Sequence, residues 1–194
     1  MSPRERPDPS RSTEHERARA LRRIFAAPTS HVVLGIGDDA AILSPPEGAL
    51  VWSIDAQVEG VHFRREWMSL SDIGYRATMA ALSDLGAMGA RPLGVLAALT
   101  LPRTISDAEL AEIARGQRDA ADEIGTAIVG GNMARSGELG ITTTVLGSAG
   151  TPLRRDGARA GHVVWLAGHP GRAGLGLAAR QRGAAQGGDL ALCD

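Results

Sequence analysis

The 194-residue chain contains no lysine: all 21 of its Lys and Arg positions are arginine. That absence excludes a P-loop, which needs its lysine on the phosphates, a protein-kinase-like site, which needs its strand lysine, and Schiff-base chemistry, which needs an amine. Any phosphate chemistry must therefore rest on metal, Arg and backbone N–H groups. Cysteine occurs once, at Cys193, which rules out an internal disulfide and any Cys-based zinc cluster and points to a cytoplasmic compartment. Aromatic residues make up only 3% while Gly occurs 25 times, so the core is expected to be aliphatic, with close backbone approaches. Neither sign of charge dominates, the net charge being -1, and nothing in that balance calls for nucleic acid or a membrane surface as partner. Met1 to Ser12 lacks an apolar h-region and reads as a disordered leader, and no stretch approaches the length of a membrane span.

What is present is a sequence of capped amphipathic segments. Thr13-Glu14-His15-Glu16 fits a capping box and opens a helix with Leu21, Ile24 and Phe25 on one side, stopped by Pro28. Strands are expected over 32–36, 40–43 and 50–54, with Pro45-Pro46-Glu47-Gly48 as the turn before the third. Residues 71–88 read as a long helix whose apolar stripe, from Ile73 through Ala77, Ala80 and Ala81 to Met88, includes Asp84. A carboxylate there needs a partner or a metal, unless Leu82 and Leu85 set the stripe's centre and Asp84 is its rim. A strand over 93–101 and a second capping box at Ser106 to Glu109, opening a helix that ends at Gly125, come next. Strands over 126–129 and 139–149 flank a Gly130-Gly131-Asn132 turn. The 139–149 strand, apolar and lacking a covering neighbour, is expected to leave an open edge that favours dimerisation. This order predicts an α+β domain with a sheet covered on one face. After about residue 150 the texture changes to a strand over 163–167, a Gly-rich loop and a helix over 175–181.

The adjacent carboxylates Asp38 and Asp39 follow an apolar strand in Gly35-Ile36-Gly37-Asp38-Asp39-Ala40. The segment fits the dinucleotide fingerprint GxGxxA, but two aspartates oppose an anionic pyrophosphate, so that reading is rejected. Two readings remain: a divalent-cation corner, or an Asx-type turn with both side chains solvated. Asp55, Glu59, Asp84 and Asn132 are further oxygen donors at strand ends or on a helix. Hard oxygen donors drawn from distant segments suit Mg²⁺ bridging to phosphates.

Four motifs in order carry a resemblance: Gly35-Ile36-Gly37-Asp38-Asp39; Ser53-Ile54-Asp55 followed by Val58-Glu59-Gly60-Val61-His62-Phe63; Leu82-Ser83-Asp84-Leu85 with Ala87-Met88-Gly89-Ala90-Arg91-Pro92; and Val129-Gly130-Gly131-Asn132. Together they resemble the thiamine-monophosphate kinase family, in the superfamily of aminoimidazole ribonucleotide synthetase. The resemblance implies an N-terminal domain over 13–150 with a mixed or antiparallel sheet that pairs into a dimeric barrel, and the start of a C-terminal α/β domain over 151–194 that is incomplete. It implies a phosphotransferase that moves the γ-phosphoryl of ATP to thiamine monophosphate with several Mg²⁺ ions and no covalent intermediate. Asp39, Ser53, Asp55, Asp84 and Asn132 are the implied metal donors. Gly131, Asn132 and Arg155 would touch ATP, and His62 the substrate; Asp38 is left as a turn-former. Two departures stand out. Asn132 replaces a carboxylate of the family pattern, and Ile54 and Ala56 replace hydroxyls beside Asp55. They leave room for a non-catalytic interaction or regulatory domain of the same fold, or for another ATP-using member of the superfamily.

Overall fold

The computed structural model describes residues 12–26, 29–44, 46–166 and 168–183. Residues 1–11 of the expected leader, the helix stop at Pro28, Pro45 of the expected turn, Ala167 and Cys193 lie outside them. The chain divides into two compact units at the junction of Arg154 and Arg155.

In the first unit, α1 (Glu14–Phe25) starts at Thr13, whose backbone N–H donates to the Glu16 carboxylate while its side chain accepts from the Glu16 N–H. The same reciprocal cap at Ser106 and Glu109 opens α3 (Asp107–Ile124), which ends in a left-handed Gly125. Between them come β1 (Val32–Leu34) and β2 (Ile42–Leu43), an antiparallel pair of their own, then β3 (Ala49–Val58), α2 (Leu70–Ala87) and β4 (Arg91–Leu101). After α3 follow β5 (Ile128–Arg135) and β6 (Gly140–Ala149). The sheet is mixed, in the order β3-β6-β4-β5, with β4 and β5 parallel and the other neighbours antiparallel. The α+β expectation holds.

Strand alternation explains why the two faces differ. Val95, Ala97, Leu99, Ile141 and Val145 are buried in one core with Ile73, Leu85, Leu110 and Ile113 of the helices. Among the described residues of this unit no helix covers the opposite face: Leu50, Trp52, Ile54 and Leu96 are 60%, 73%, 65% and 42% exposed. The helices themselves approach closely because both offer glycine at the contact. A side chain at Gly74 would collide with the Ile113 carbonyl, and one at Gly116 with the Ser71 carbonyl. Each glycine costs helix propensity of roughly 1 kcal/mol, which the close packing of two amphipathic helices offsets.

Two expectations for this unit are corrected. The 139–149 segment is not an open edge, because β6 is hydrogen-bonded to β3 on one side and β4 on the other. What it leaves open is a face. Gly130-Gly131-Asn132 is not a turn but lies within β5, paired with Leu96 to Ala98. Gly131 is needed because any side chain would strike the Ala97 carbonyl.

In the second unit, a single 3-10 turn at Arg155–Gly157 is followed by α4 (Arg172–Gln181). The expected strand over 163–167 is absent from its described part. Val163 to Leu166 are 75% to 95% exposed and carry no strand pairing, since an apolar run becomes a strand only when a neighbour takes up its backbone groups.

Candidate functional site

Strand β3 turns Ser53, Asp55 and Gln57 toward α2, while Ile54 and Ala56 point away and are exposed. Two hydrogen bonds tie strand to helix. Ser53 Oγ donates to Asp84 Oδ2 at 2.5 Å, and Arg76 Nη1 donates to Gln57 Oε1 at 2.9 Å. The spacings agree: four strand residues span roughly 13 Å and eight helical residues roughly 12 Å. The stripe Arg76, Ala80, Asp84 of α2 therefore runs antiparallel beside Ser53, Asp55 and Gln57. By the same spacing Asp55 comes midway, level with Ala80. The result is a polar seam, the groove line between strand and helix, with a hydrogen bond near either end.

Asp84 does not sit in the buried stripe. Ile73, Ala77, Ala81, Leu82 and Leu85 are the buried positions of α2, so the apolar stripe centres there and leaves Asp84 exposed at its rim. This resolves the cost of a buried carboxylate, because Asp84 keeps access to water and gains Ser53 as donor.

The Val58 to Phe63 block is a tight turn. Gly60 takes φ +80°, its N–H donates to the Phe63 carbonyl, and the N–H groups of Val61 and His62 both donate to the Val58 carbonyl. Phe63 is buried and anchors the turn, whereas His62 is exposed. His62 Nδ1 accepts the Val58 N–H at 3.1 Å, which places the proton of a neutral ring on Nε2 and leaves that N–H as the free donor. Arg76 Nη1 also donates to the His62 carbonyl at 3.0 Å, and Gln57 Nε2 to Asp55 Oδ2 at 3.4 Å. One arginine thus joins the turn to the groove. Glu59 does not enter the groove but pairs with Arg65 at 2.6 Å.

The remaining expected donors lie elsewhere. Asp38 and Asp39 are exposed, and the Asp39 N–H donates to Asp38 Oδ1 at 2.8 Å. Asn132 is on the far edge strand: in register it faces Ala98, which faces Thr142, which faces Ala56. Three inter-strand steps separate it from β3, roughly 14 Å. Among the described residues no three His, Cys, Asp or Glu side chains gather as a cation-holding group. Of the five expected donors Asp39, Ser53, Asp55, Asp84 and Asn132, the hydrogen bond between Ser53 and Asp84 joins two directly, and Asn132 lies on the opposite edge strand. The contiguous part of the set is Ser53, Asp55 and Asp84, whose hydroxyl and carboxylate oxygens suit a hard cation that completes its shell with water or phosphate.

Beside Gly131 and Asn132 lies a second feature, an apolar cavity of about 160 Å³. Leu21 and Phe25 of α1, Ile36, Leu99 and Met133 line it. Arg155, exposed, lies in the 3-10 turn of the second unit. Reasoning from the sequence did not identify Gln57 or Arg76. Their signal was available as position: Gln57 shares the odd register of Ser53 and Asp55, and Arg76 precedes Asp84 by eight residues on one helical stripe.

Residues 37–149 match the family of AIR synthase related proteins, N-terminal domain, and the chain belongs to that family. Within it, the similarity is to thiamine-monophosphate kinases. The enzyme of that name from Mycobacterium tuberculosis is 34% identical over 149 residues, covering 76% of this chain and 45% of the relative. The crystal structure of thiamine-monophosphate kinase from Stenotrophomonas maltophilia K279a has a TM-score of 0.75 at 37% identity, covering 87% of this chain and 52% of that one. A structure of AaThiL complexed with AMPPCP and TMP has a TM-score of 0.68 at 29% identity, covering 92% and 56%. The chain spans about half the length of the curated relatives it matches.

Proposed function

We propose that this chain is the N-terminal part of a thiamine-monophosphate kinase, which transfers the γ-phosphoryl of ATP to the phosphate of thiamine monophosphate and yields thiamine diphosphate and ADP. The observation that carries this reading is the groove between β3 and α2. The segments Ser53-Ile54-Asp55 and Leu82-Ser83-Asp84 and the His62 turn meet there, joined by side-chain hydrogen bonds. Ser53, Asp55 and Asp84 would hold Mg²⁺, which when bound neutralises phosphate charge. His62 offers its Nε2–H to the substrate. The apolar cavity next to Gly131 and Asn132 suits the base of a nucleotide, with Arg155 as a further ATP contact and Asp39 as a further metal donor. A cytoplasmic location belongs to the same reading; no helix among the described residues is long and apolar enough to cross a membrane.

A homodimer belongs to the reading as well. The uncovered sheet face of Leu50, Trp52, Ile54 and Leu96 is an apolar surface of the kind that a second copy buries.

One observation favours a second reading, a non-catalytic interaction or regulatory domain of the same fold: Asn132 stands where the family pattern has a carboxylate and supplies no charge. A coupled assay with ATP, Mg²⁺ and thiamine monophosphate separates the two. Thiamine diphosphate formed well above an Asp84→Ala control supports the kinase. No product, with Mg²⁺-dependent binding of ATP intact, assigns the chain to the second reading.

A further inference from the structure

We infer that Arg76 and Gln57 form a positioning device that sets the Asp55 carboxylate and the His62 turn together, so that the metal-side and substrate-side halves of the groove are held by one side chain. The inference rests on the reading of the groove as a cation and substrate site. It adds two residues that the motifs do not contain.

Gln57 is 94% buried by its 6% exposure, and a buried amide must use both ends. Its Oε1 accepts from Arg76 Nη1 at 2.9 Å and its Nε2 donates to Asp55 Oδ2 at 3.4 Å. The charged donor fixes which way the amide points. A guanidinium on the carbonyl end requires the NH₂ end to face the carboxylate, and polarisation through the amide strengthens that second hydrogen bond. The same Arg76 Nη1 donates to the His62 carbonyl at 3.0 Å, fixing the turn that aims the ring. Gln57 hydrogen-bonds the Asp55 carboxylate and thereby restrains its rotation. Arg76 therefore acts through Gln57 on one side and through a backbone carbonyl on the other, and touches neither metal nor substrate itself.

Three variants of the full chain test this: Arg76→Met, Arg76→Lys and Gln57→Leu, read by two measurements that need no turnover. The first is the Mn²⁺ dissociation constant from electron paramagnetic resonance, with Mn²⁺ as probe for the cation. The second is amide hydrogen exchange over Val58 to Phe63. Loss of the groups behind a metal ligand typically weakens binding about tenfold, so Arg76→Met is expected to weaken Mn²⁺ about tenfold and to speed exchange of the turn by a similar factor. Gln57→Leu, which fills the buried space with a side chain of similar size, is expected to weaken Mn²⁺ while leaving turn exchange unchanged. Arg76→Lys supplies the charge without the fork and is expected to restore one of the two readouts in part.

A shift in both readouts from Gln57→Leu would overturn the inference, as would Arg76→Met leaving turn exchange at the parent rate. If the parent chain itself binds no Mn²⁺, the cation reading of the groove fails. The inference then fails in its metal half, while the exchange comparison still decides whether Arg76 sets the His62 turn.

Discussion

The two edges of the sheet differ in what they present. At the β3 edge side chains predominate: Ser53 and Asp55 carry oxygens, and α2 brings Arg76 and Asp84 beside them at matched spacing. At the β5 edge the backbone, and what is missing from it, stands out. Gly131 has no room for a side chain, and Asn132 lies beside an apolar cavity closed by α1. Polar groups need geometric partners to be worth their desolvation, whereas an apolar slot needs only shape. The difference predicts that the first edge fails on loss of charge and the second on a change of volume.

The largest effect is expected at the first edge. Asp84→Ala should weaken Mn²⁺ binding about 100-fold, a loss of roughly 2.7 kcal/mol, while Asn132→Ala, three strands away, should change it less than about threefold. Equal losses from the two, measured by titration calorimetry, would break the comparison. At the second edge, Gly131→Ala should destabilise the fold by about 1–3 kcal/mol through overpacking against the Ala97 carbonyl, read from chemical denaturation. Ala18→Leu reaches into the cavity that Ala18 lines. It should lower affinity for a non-hydrolysable ATP analogue about tenfold and leave Mn²⁺ binding and the melting temperature unchanged. A melting temperature that falls with affinity would show that the cavity wall is a structural contact instead.

The smallest effect is that of pH, and it touches neither edge. Glu109 is held below its ordinary 4.5, first by the Ser106 backbone N–H and then by the Ser106 hydroxyl. Asp107 is held below 3.8, first by the Ser12 side chain, with Arg17 adding to it. Depressed carboxylates contribute stability that is fully present above their unfolded values and is lost as pH falls through the lower folded ones. The melting temperature should therefore be flat down to about pH 5 and decline below it. Ser106→Ala should reduce that decline, and both are measurable by scanning calorimetry.

How much was legible depends on how local the signal is. The capped helices α1 and α3 were legible because Thr13 with Glu16 and Ser106 with Glu109 carry their own partners three residues away. Gly130-Gly131 was misread as a turn because glycine serves both turns and close strand approaches, and only the Ala97 carbonyl on the neighbouring strand distinguishes them. The open edge assigned to 139–149 became a central strand for a similar reason, since strand order is a long-range property. Of the candidate residues along β3 and α2, Asp55, Asp84 and His62 stand out in the sequence by residue type and motif. Gln57 and Arg76 do not, because an amide and an exposed arginine declare no chemistry until the helix is laid against the strand.

By itself the sequence determined what kinds of chemistry this protein could not perform, since a chain without lysine and with one cysteine has neither a P-loop amine nor a thiolate cluster to use. It also determined the helices, whose apolar period and caps are local, and the order of acidic motifs that marks the family. Tertiary structure alone decided which of the oxygen donors meet. Asp38 and Asp39 are adjacent in one dimension, yet the fold gives them different surroundings: one Asp38 oxygen takes up the backbone N–H of Asp39, and the Asp39 carboxylate is left exposed. Ser53 and Asp84, 31 residues apart, became neighbours because strand rise and helix rise bring four residues of one level with eight of the other.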